Sequence, residues 1–174
     1  CNYWIHTEHL LDATGKMSKS SGNFLTLNLL EEKGYSPLVY RFFCLQSHYK
    51  KQLTFSFESL DIAKNSYNKL LNKIKSISID NSPLVQEDFD KYNNQFKECL
   101  ADNLNTSNAL TVLYDILKSS INNTTKLSLI KSFDKVLSLD LTKEDTINEE
   151  LVSYINEMIE KRNIAKKNKD YDLA

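Results

Sequence analysis

At 174 residues the chain is long enough for one domain with a buried core, and 22 Lys and Arg against 23 Asp and Glu leave a net charge of −1. That balance excludes a globally basic nucleic-acid field, and no run of about 18 apolar residues is present that could cross a bilayer as a helix. All three glycines, Gly15, Gly22 and Gly34, fall before residue 35 and only two prolines occur, so the rest of the chain is read as helical, not as a turn-rich sandwich or barrel.

Residues 2–11, aromatic and β-branched, predict a strand. Asp12-Ala13-Thr14-Gly15 reads as a turn, and residues 16–21 as a short polar loop before Asn23-Phe24-Leu25 re-enters packed structure. Residues 27–33 predict a short helix with Gly34 as its C′ residue. Ser36 is placed as the N-cap and Pro37 as the first residue of the next, with Leu38, Phe42 and Leu45 on one face and Arg41 beside them as a structural brace. From residue 58 the period is helical: Leu60, Ala63, Tyr67, Leu70, Ile74 and Ile77 make one stripe, and Pro83 breaks it. Val85, Phe89, Tyr92, Phe96 and Leu100 make a second stripe, and Ala109, Leu110, Leu113, Leu117 and Ile121 a third, capped by Thr106. Leu127, Ile130, Phe133 and Leu137 make a fourth, and Leu151, Ile155, Met158 and Arg162 a fifth. Five antiparallel helices joined by short Asn, Ser and Asp loops are the expected bundle, with the apolar stripes as its core.

Cys1, Cys44 and Cys99 contain no CxxC pair and are read as buried thiols of a reducing compartment. The chain begins without Met in a strand-like run and stops at Tyr171-Asp172-Leu173-Ala174 in helical pattern, which reads as a piece of something longer. The segment with chemical content is Lys16-Met17-Ser18-Lys19-Ser20. Two lysines three apart in a polar loop can reach one polyanion, and the flanking Gly15 and Gly22 allow the loop to change conformation. A solvated Lys/Ser surface loop is the plainer reading of the pentapeptide alone.

The run GKMSKSSGNF at residues 15–24 resembles the KMSKS signature of class I aminoacyl-tRNA synthetases. Asn2-Tyr3-Trp4-Ile5-His6 stands before it at the spacing of cysteinyl-tRNA synthetases, and residues 40–50 (YRFFCLQSHYK) resemble that family's LRFFLLSxHYR segment. Phe55-Ser56-Phe57-Glu58 corresponds to its NYSEE helix start, residues 101–114 to DDDFNTPEAxxVLF, and Lys161-Arg162-Asn163 through Lys169-Asp170 to ERNxARKxKD. Ser21 stands where the family usually has Leu, Asn103 and Leu104 replace an acid and a Phe, and Ser107-Asn108 replace Pro-Glu.

The resemblance implies a mainly α fold. Residues 1–57 would be the edge of a catalytic domain with the KMSKS loop and stem-contact helices, and residues 58–174 an antiparallel bundle of the class Ia anticodon-binding type, truncated at its C-terminus. It implies an enzyme in its full-length form, a cytoplasmic cysteine–tRNA ligase, monomeric and independent of membranes. Its substrates would be ATP with Mg, cysteine and tRNA(Cys), and the fragment alone would be inactive. Lys19 is then the catalytic, ATP-contacting lysine with Lys16 as auxiliary, and Met17, Ser18 and Ser20 complete the ATP-binding loop. One Zn is expected in the parent, with ligands in an upstream part; Cys1, His6 and His9 do not match the family's ligand positions, so no metal is expected here. Tyr49, Lys50 and Lys51, and the cluster Lys161, Arg162, Lys166, Lys167 and Lys169, are candidates for tRNA contact, the cluster equally readable as a solvated helix face. A cysteine ligase of mycothiol biosynthesis, which needs no RNA, and a non-catalytic helical RNA-binding module are the alternatives.

Overall fold

The computed structural model describes residues 1–2, 4–12, 15–16, 26–143 and 149–167, which fall into two compact units, 1–142 and 143–174. In the first, β1 (Leu10–Asp12) pairs antiparallel with β2 (Gly15–Lys16) and parallel with β3 (Leu53–Thr54), giving the order β2-β1-β3. Among the described residues two helices lie between β2 and β3 in the chain: α1 (Leu27–Glu32) and α2 (Pro37–Leu45). The expected strand over residues 2–11 is corrected to three residues, because among the described residues only 10–12 find neighbouring strands to share backbone hydrogen bonds.

The turn between α1 and α2 follows from its residues. Gly34 takes φ +79°, a left-handed conformation that a Cβ would strain, and its N–H donates to Glu31 at 2.8 Å. Ser36 then caps α2, accepting from the Leu38 N–H at 3.2 Å, with Pro37 first in the helix. After β3 the hydroxyls of Ser56 and Ser59 serve each other's backbone N–H at 3.0 Å and start α3 (Phe57–Lys75).

Three further helices complete the first unit: α4 (Gln86–Ala101), α5 (Thr106–Lys118) and α6 (Asn123–Leu137). The short connections at 102–105 and 119–122 bring successive helices back on one another, and α4, α5 and α6 pack together while α2 packs on α3. One continuous core runs from Leu30 through Phe42, Leu60, Leu70, Leu113, Ile130 and Phe133 to Leu141. Phe96 and Phe133 stack at 3.9 Å between ring centroids. The fold is mainly α, as expected. The α5 cap is Asn105 rather than Thr106: Asn105 accepts from the Asn108 N–H at 3.2 Å, while the Thr106 hydroxyl donates to the Leu45 carbonyl at 2.9 Å.

The turn after α6 ties three helices together. Ser138 and Asp140 both have φ near +50°, and the Asp134 carboxylate accepts from the N–H groups of Leu139 at 2.8 Å and Leu141 at 2.9 Å. Arg41 of α2 donates from Nε to the Leu137 carbonyl at 2.6 Å, and the Tyr67 hydroxyl of α3 donates to the Leu139 carbonyl at 2.5 Å. Arg41 is therefore a brace, as its place beside the apolar face suggested. In the second unit α7 (Glu149–Lys167) is a helix whose described side chains are all exposed, Met158 and Arg162 of the fifth stripe included. The core of the first unit is built mainly from α2 and the four long helices α3 to α6.

Candidate functional site

The loop with chemical content springs from the sheet. Leu11 pairs with Lys16 and Asp12 with Gly15, while the Phe55 N–H donates to the Leu11 carbonyl at 2.7 Å. The backbone of Lys16 is therefore held against β1, whose other neighbour, β3, leads directly into α3. Met17, Ser18, Lys19 and Ser20 lie outside the described residues, together with Ser21 and Gly22. The chain is described again at Thr26, whose hydroxyl caps α1 by accepting from the Leu29 N–H at 3.2 Å. Both ends of the segment thus have a defined anchor: a sheet edge before it and a capped helix after it.

A second constellation forms where Ser47 to Lys51 turn after α2. The Tyr49 carbonyl accepts from the Glu8 N–H at 2.9 Å, and Lys51 donates its N–H to the His48 carbonyl at 2.8 Å. His48 Nδ1 accepts from the Lys50 N–H at 3.2 Å, and the His48 and Tyr49 rings stack at 4.8 Å. The Lys50 ammonium donates to the Asn103 side chain at 3.1 Å. His48, Tyr49 and Lys51 line a cleft of about 460 Å³ together with Ile5, Leu10, Leu53 and Leu104.

Tyr49, Lys50 and Lys51 are therefore brought together, with Lys50 turned toward the α4–α5 connection. Asn103, Leu104 and Thr106 belong to the same corner and were not anticipated in it. Asn103 and Leu104 both adopt φ +52°, which costs a non-glycine residue roughly 1 kcal/mol each. The signal for that turn was present in Asp102-Asn103-Leu104-Asn105, since Asn tolerates the left-handed region.

The three thiols differ in surroundings. Cys44 and Cys99 are half-buried and burial pushes both thiols up, so they are poor nucleophiles; Cys1 is exposed, which corrects its reading as a buried thiol. Beside Cys44, burial pushes the Tyr40 phenol up to about 12. Among the described residues no group of three His, Cys, Asp or Glu could hold a metal.

The basic cluster on α7 is incompletely described. Lys161 forms an ion pair with Glu157 at 2.7 Å, which raises the lysine and lowers the carboxylate through their mutual hydrogen bond. Lys161, Arg162 and Lys166 are exposed, while the Lys167 side chain and all of Lys169 lie outside the described residues.

The sequence of this sheet edge and of the capped helices after it is similar to that of the class I tRNA synthetases. The family model for the tRNA synthetases class I (C) catalytic domain matches residues 1–65. The chain is 36% identical to the cysteine–tRNA ligase of Borrelia hermsii, over all of the chain and 40% of that relative. It is also 36% identical to that of Brachyspira hyodysenteriae, over 99% of the chain and 40% of the relative, and 35% identical to cysteine–tRNA ligase 1 of Burkholderia lata, over 99% and 36%. The chain belongs to the cysteine–tRNA ligase family and spans about two-fifths of the length of the curated relatives it matches.

Proposed function

We propose that this chain is the part of a cysteine–tRNA ligase that supplies the ATP-contacting loop and the tRNA-binding helices. The observation that carries the reading is the match to cysteine–tRNA ligases along the whole chain, with GKMSKSSGNF standing directly on β2. In the proposed division, residues 1–57 form the edge of the catalytic domain and residues 58–174 the helical, anticodon-binding part. The end of the catalytic-domain match at residue 65, inside α3, supports that division.

In the proposed reaction the cysteine carboxylate attacks the α-phosphorus of ATP, forming cysteinyl-adenylate and releasing pyrophosphate. The terminal ribose hydroxyl of tRNA(Cys) then takes the cysteinyl group and AMP leaves. Negative charge gathers on the departing β,γ-phosphates, which arrive with Mg as part of the substrate. An ammonium that meets them chiefly in the transition state raises the rate more than it tightens ATP binding. Lys19 is given that role, with Lys16 as auxiliary and Met17, Ser18 and Ser20 shaping the loop. A lysine suits it as a compact point charge on a long stem. Lys16, at the end of β2, would act as the near edge of the phosphate contact.

The parts of the protein that select the thiol lie elsewhere. Zinc, expected of the family, would need ligands outside the described residues. Tyr49, Lys50 and Lys51 are proposed to meet the inner bend of the tRNA, and Lys161, Arg162, Lys166, Lys167 and Lys169 its backbone, in a monomeric enzyme of the cytoplasm. No helix among the described residues is long and apolar enough to cross a membrane. Charging of tRNA(Cys) by the full-length protein, with cysteine, serine and methionine compared, tests the reading. Cysteine alone should be attached; transfer of cysteine to an amino sugar with none to tRNA would overturn it.

A further inference from the structure

A cleft of about 350 Å³ opens on the surface between α3 and α5. Its walls are Ser66, Lys69, Asn72 and Lys73 of α3 and Tyr114 of α5, with Leu70 as a buried floor. Lys69 and Lys73 are one turn apart on the same helix face, a like-charge spacing that costs an isolated helix a few tenths of a kcal/mol. Both are exposed, and among the described residues neither ammonium meets a carboxylate. One turn further along α5 from Tyr114 stands Lys118, also exposed and without an ion pair among the described residues.

Tyr114 adds the second observation. It is half-buried, burial alone pushes its phenol up, and among the described residues its hydroxyl makes no hydrogen bond. Tyr40, by contrast, bonds Cys44, Tyr67 donates to a backbone carbonyl and Tyr35 to Asp61. A partly desolvated phenol open to a cleft is a ready donor for an acceptor-rich ligand. Ammonium groups with no acid between them, a free phenolic O–H, and the Asn72 amide together present donors to one small, negatively charged, oxygen-rich group.

We propose that this cleft is a phosphate cradle that grips a backbone phosphodiester of the tRNA, with Lys69 and Lys73 supplying the charge and Tyr114 a hydrogen bond. The proposal rests on the tRNA-ligase reading above. The ligand chemistry is that of a phosphate oxygen pair. An RNA backbone is favoured over a free phosphate because the exposed ammonium groups are spread along both helices, Lys69 and Lys73 on α3 and Lys118 one turn beyond Tyr114 on α5, and a row of this kind follows a repeating charge.

The test measures binding of a fluorescent tRNA(Cys) transcript to the full-length protein as a function of salt. The variants are the double substitution Lys69→Ala/Lys73→Ala, Tyr114→Phe, and Lys97→Ala on the exposed face of α4 as a control of equal charge change per site. The double variant should weaken binding about tenfold near 0.1 M salt and reduce the salt slope by about 1 to 2, since each lost phosphate contact removes about one unit. Tyr114→Phe should weaken binding a few-fold with the slope unchanged, and Lys97→Ala should do neither. Cysteine-dependent ATP–pyrophosphate exchange should stay at the parent level in all of them. Unchanged affinity and slope in the double variant would overturn the cradle, as would a loss equalled by Lys97→Ala. Saturation of the cleft by millimolar inorganic phosphate, seen as an NMR shift at Tyr114, without competition by the transcript would overturn the RNA assignment. A parent protein that binds no tRNA at all would instead sink the tRNA-ligase reading on which the cradle stands.

Discussion

Replacing Asp134 with Ala should loosen the turn that joins α2, α3 and α6. The carboxylate accepts two backbone N–H groups, from Leu139 at 2.8 Å and Leu141 at 2.9 Å, and those bonds hold a loop in which Ser138 and Asp140 take positive φ. A hydrogen bond to a charged acceptor contributes about 1.5 kcal/mol at the lower end of its range, the end suited to a half-buried site. Two such bonds come to about 3 kcal/mol. Asp134→Asn keeps one acceptor oxygen and should lose about half as much. The effect spreads because the same turn seats Leu139 and Leu141 in the core and presents the carbonyls used by Arg41 and Tyr67. Urea unfolding read by circular dichroism gives the stability change, and amide exchange by NMR reports the two N–H groups directly. Exchange at 139 and 141 should speed up by at least about tenfold, since local opening then needs no hydrogen bond to break. A loss below about 0.5 kcal/mol for Asp134→Ala, with exchange unaltered at both amides, would refute the reasoning.

Phe133→Ala should cost about 3–5 kcal/mol, because the ring is fully buried and stacked on Phe96; a loss under about 1 kcal/mol in the same urea assay would mean the core closes over the space. Burial pushes Tyr67 up to about 12, with Asp140 and Asp134 adding to it. Its folded value lies above the unfolded one, so the stability it contributes is full below pH 10 and lost as the pH rises through about 12. Ultraviolet titration of phenolate should show a late-titrating group that disappears in Tyr67→Phe; an unchanged curve in that variant would contradict the assignment. Asp80, lowered chiefly by the Ser82 and Thr124 hydroxyls, contributes in the opposite direction: its share is present at neutral pH and is lost on acidification through its depressed folded value. Thr124→Val should therefore make the amides near 80–85 exchange faster at pH 7 and narrow that difference from the parent at acid pH; a pH-independent difference would count against it.

The helices were legible because burial imposes a period. Leu60, Ala63, Tyr67, Leu70 and Ile74 recur as a helix demands, and all five are buried on α3. Local chemistry was equally readable at Gly34, Ser36 and Pro37, where one residue type answers one backbone need. The misreadings came where two residues suit one role or where a partner decides. Asn105 and Thr106 can each cap a helix, and the choice fell to Asn105 because the Thr106 hydroxyl is committed to the Leu45 carbonyl of α2. Aromatic and β-branched content marked residues 2–11 as a strand, yet a strand exists only where another pairs with it. A helix over the fifth stripe is found as α7, but its described side chains are exposed, and no sequence pattern says what a helix face packs against. For the site, the lysine loop was legible only as a motif. The corner formed by Tyr49, Lys50 and Asn103 joins residues 50 apart in the chain or more, contacts that depend on α2, α4 and α5 having already packed.

The account turns on the ammonium of Lys19 meeting the departing phosphates. Cysteine-dependent ATP–pyrophosphate exchange by the full-length protein, with Lys19→Ala beside the parent, measures that most directly. Removing one preorganised charge from a transition state costs about 100-fold or more in rate, so exchange should fall by at least that factor while the KM for ATP moves only a few-fold. Exchange near the parent level, or a loss carried entirely by KM, would contradict the role given to Lys19.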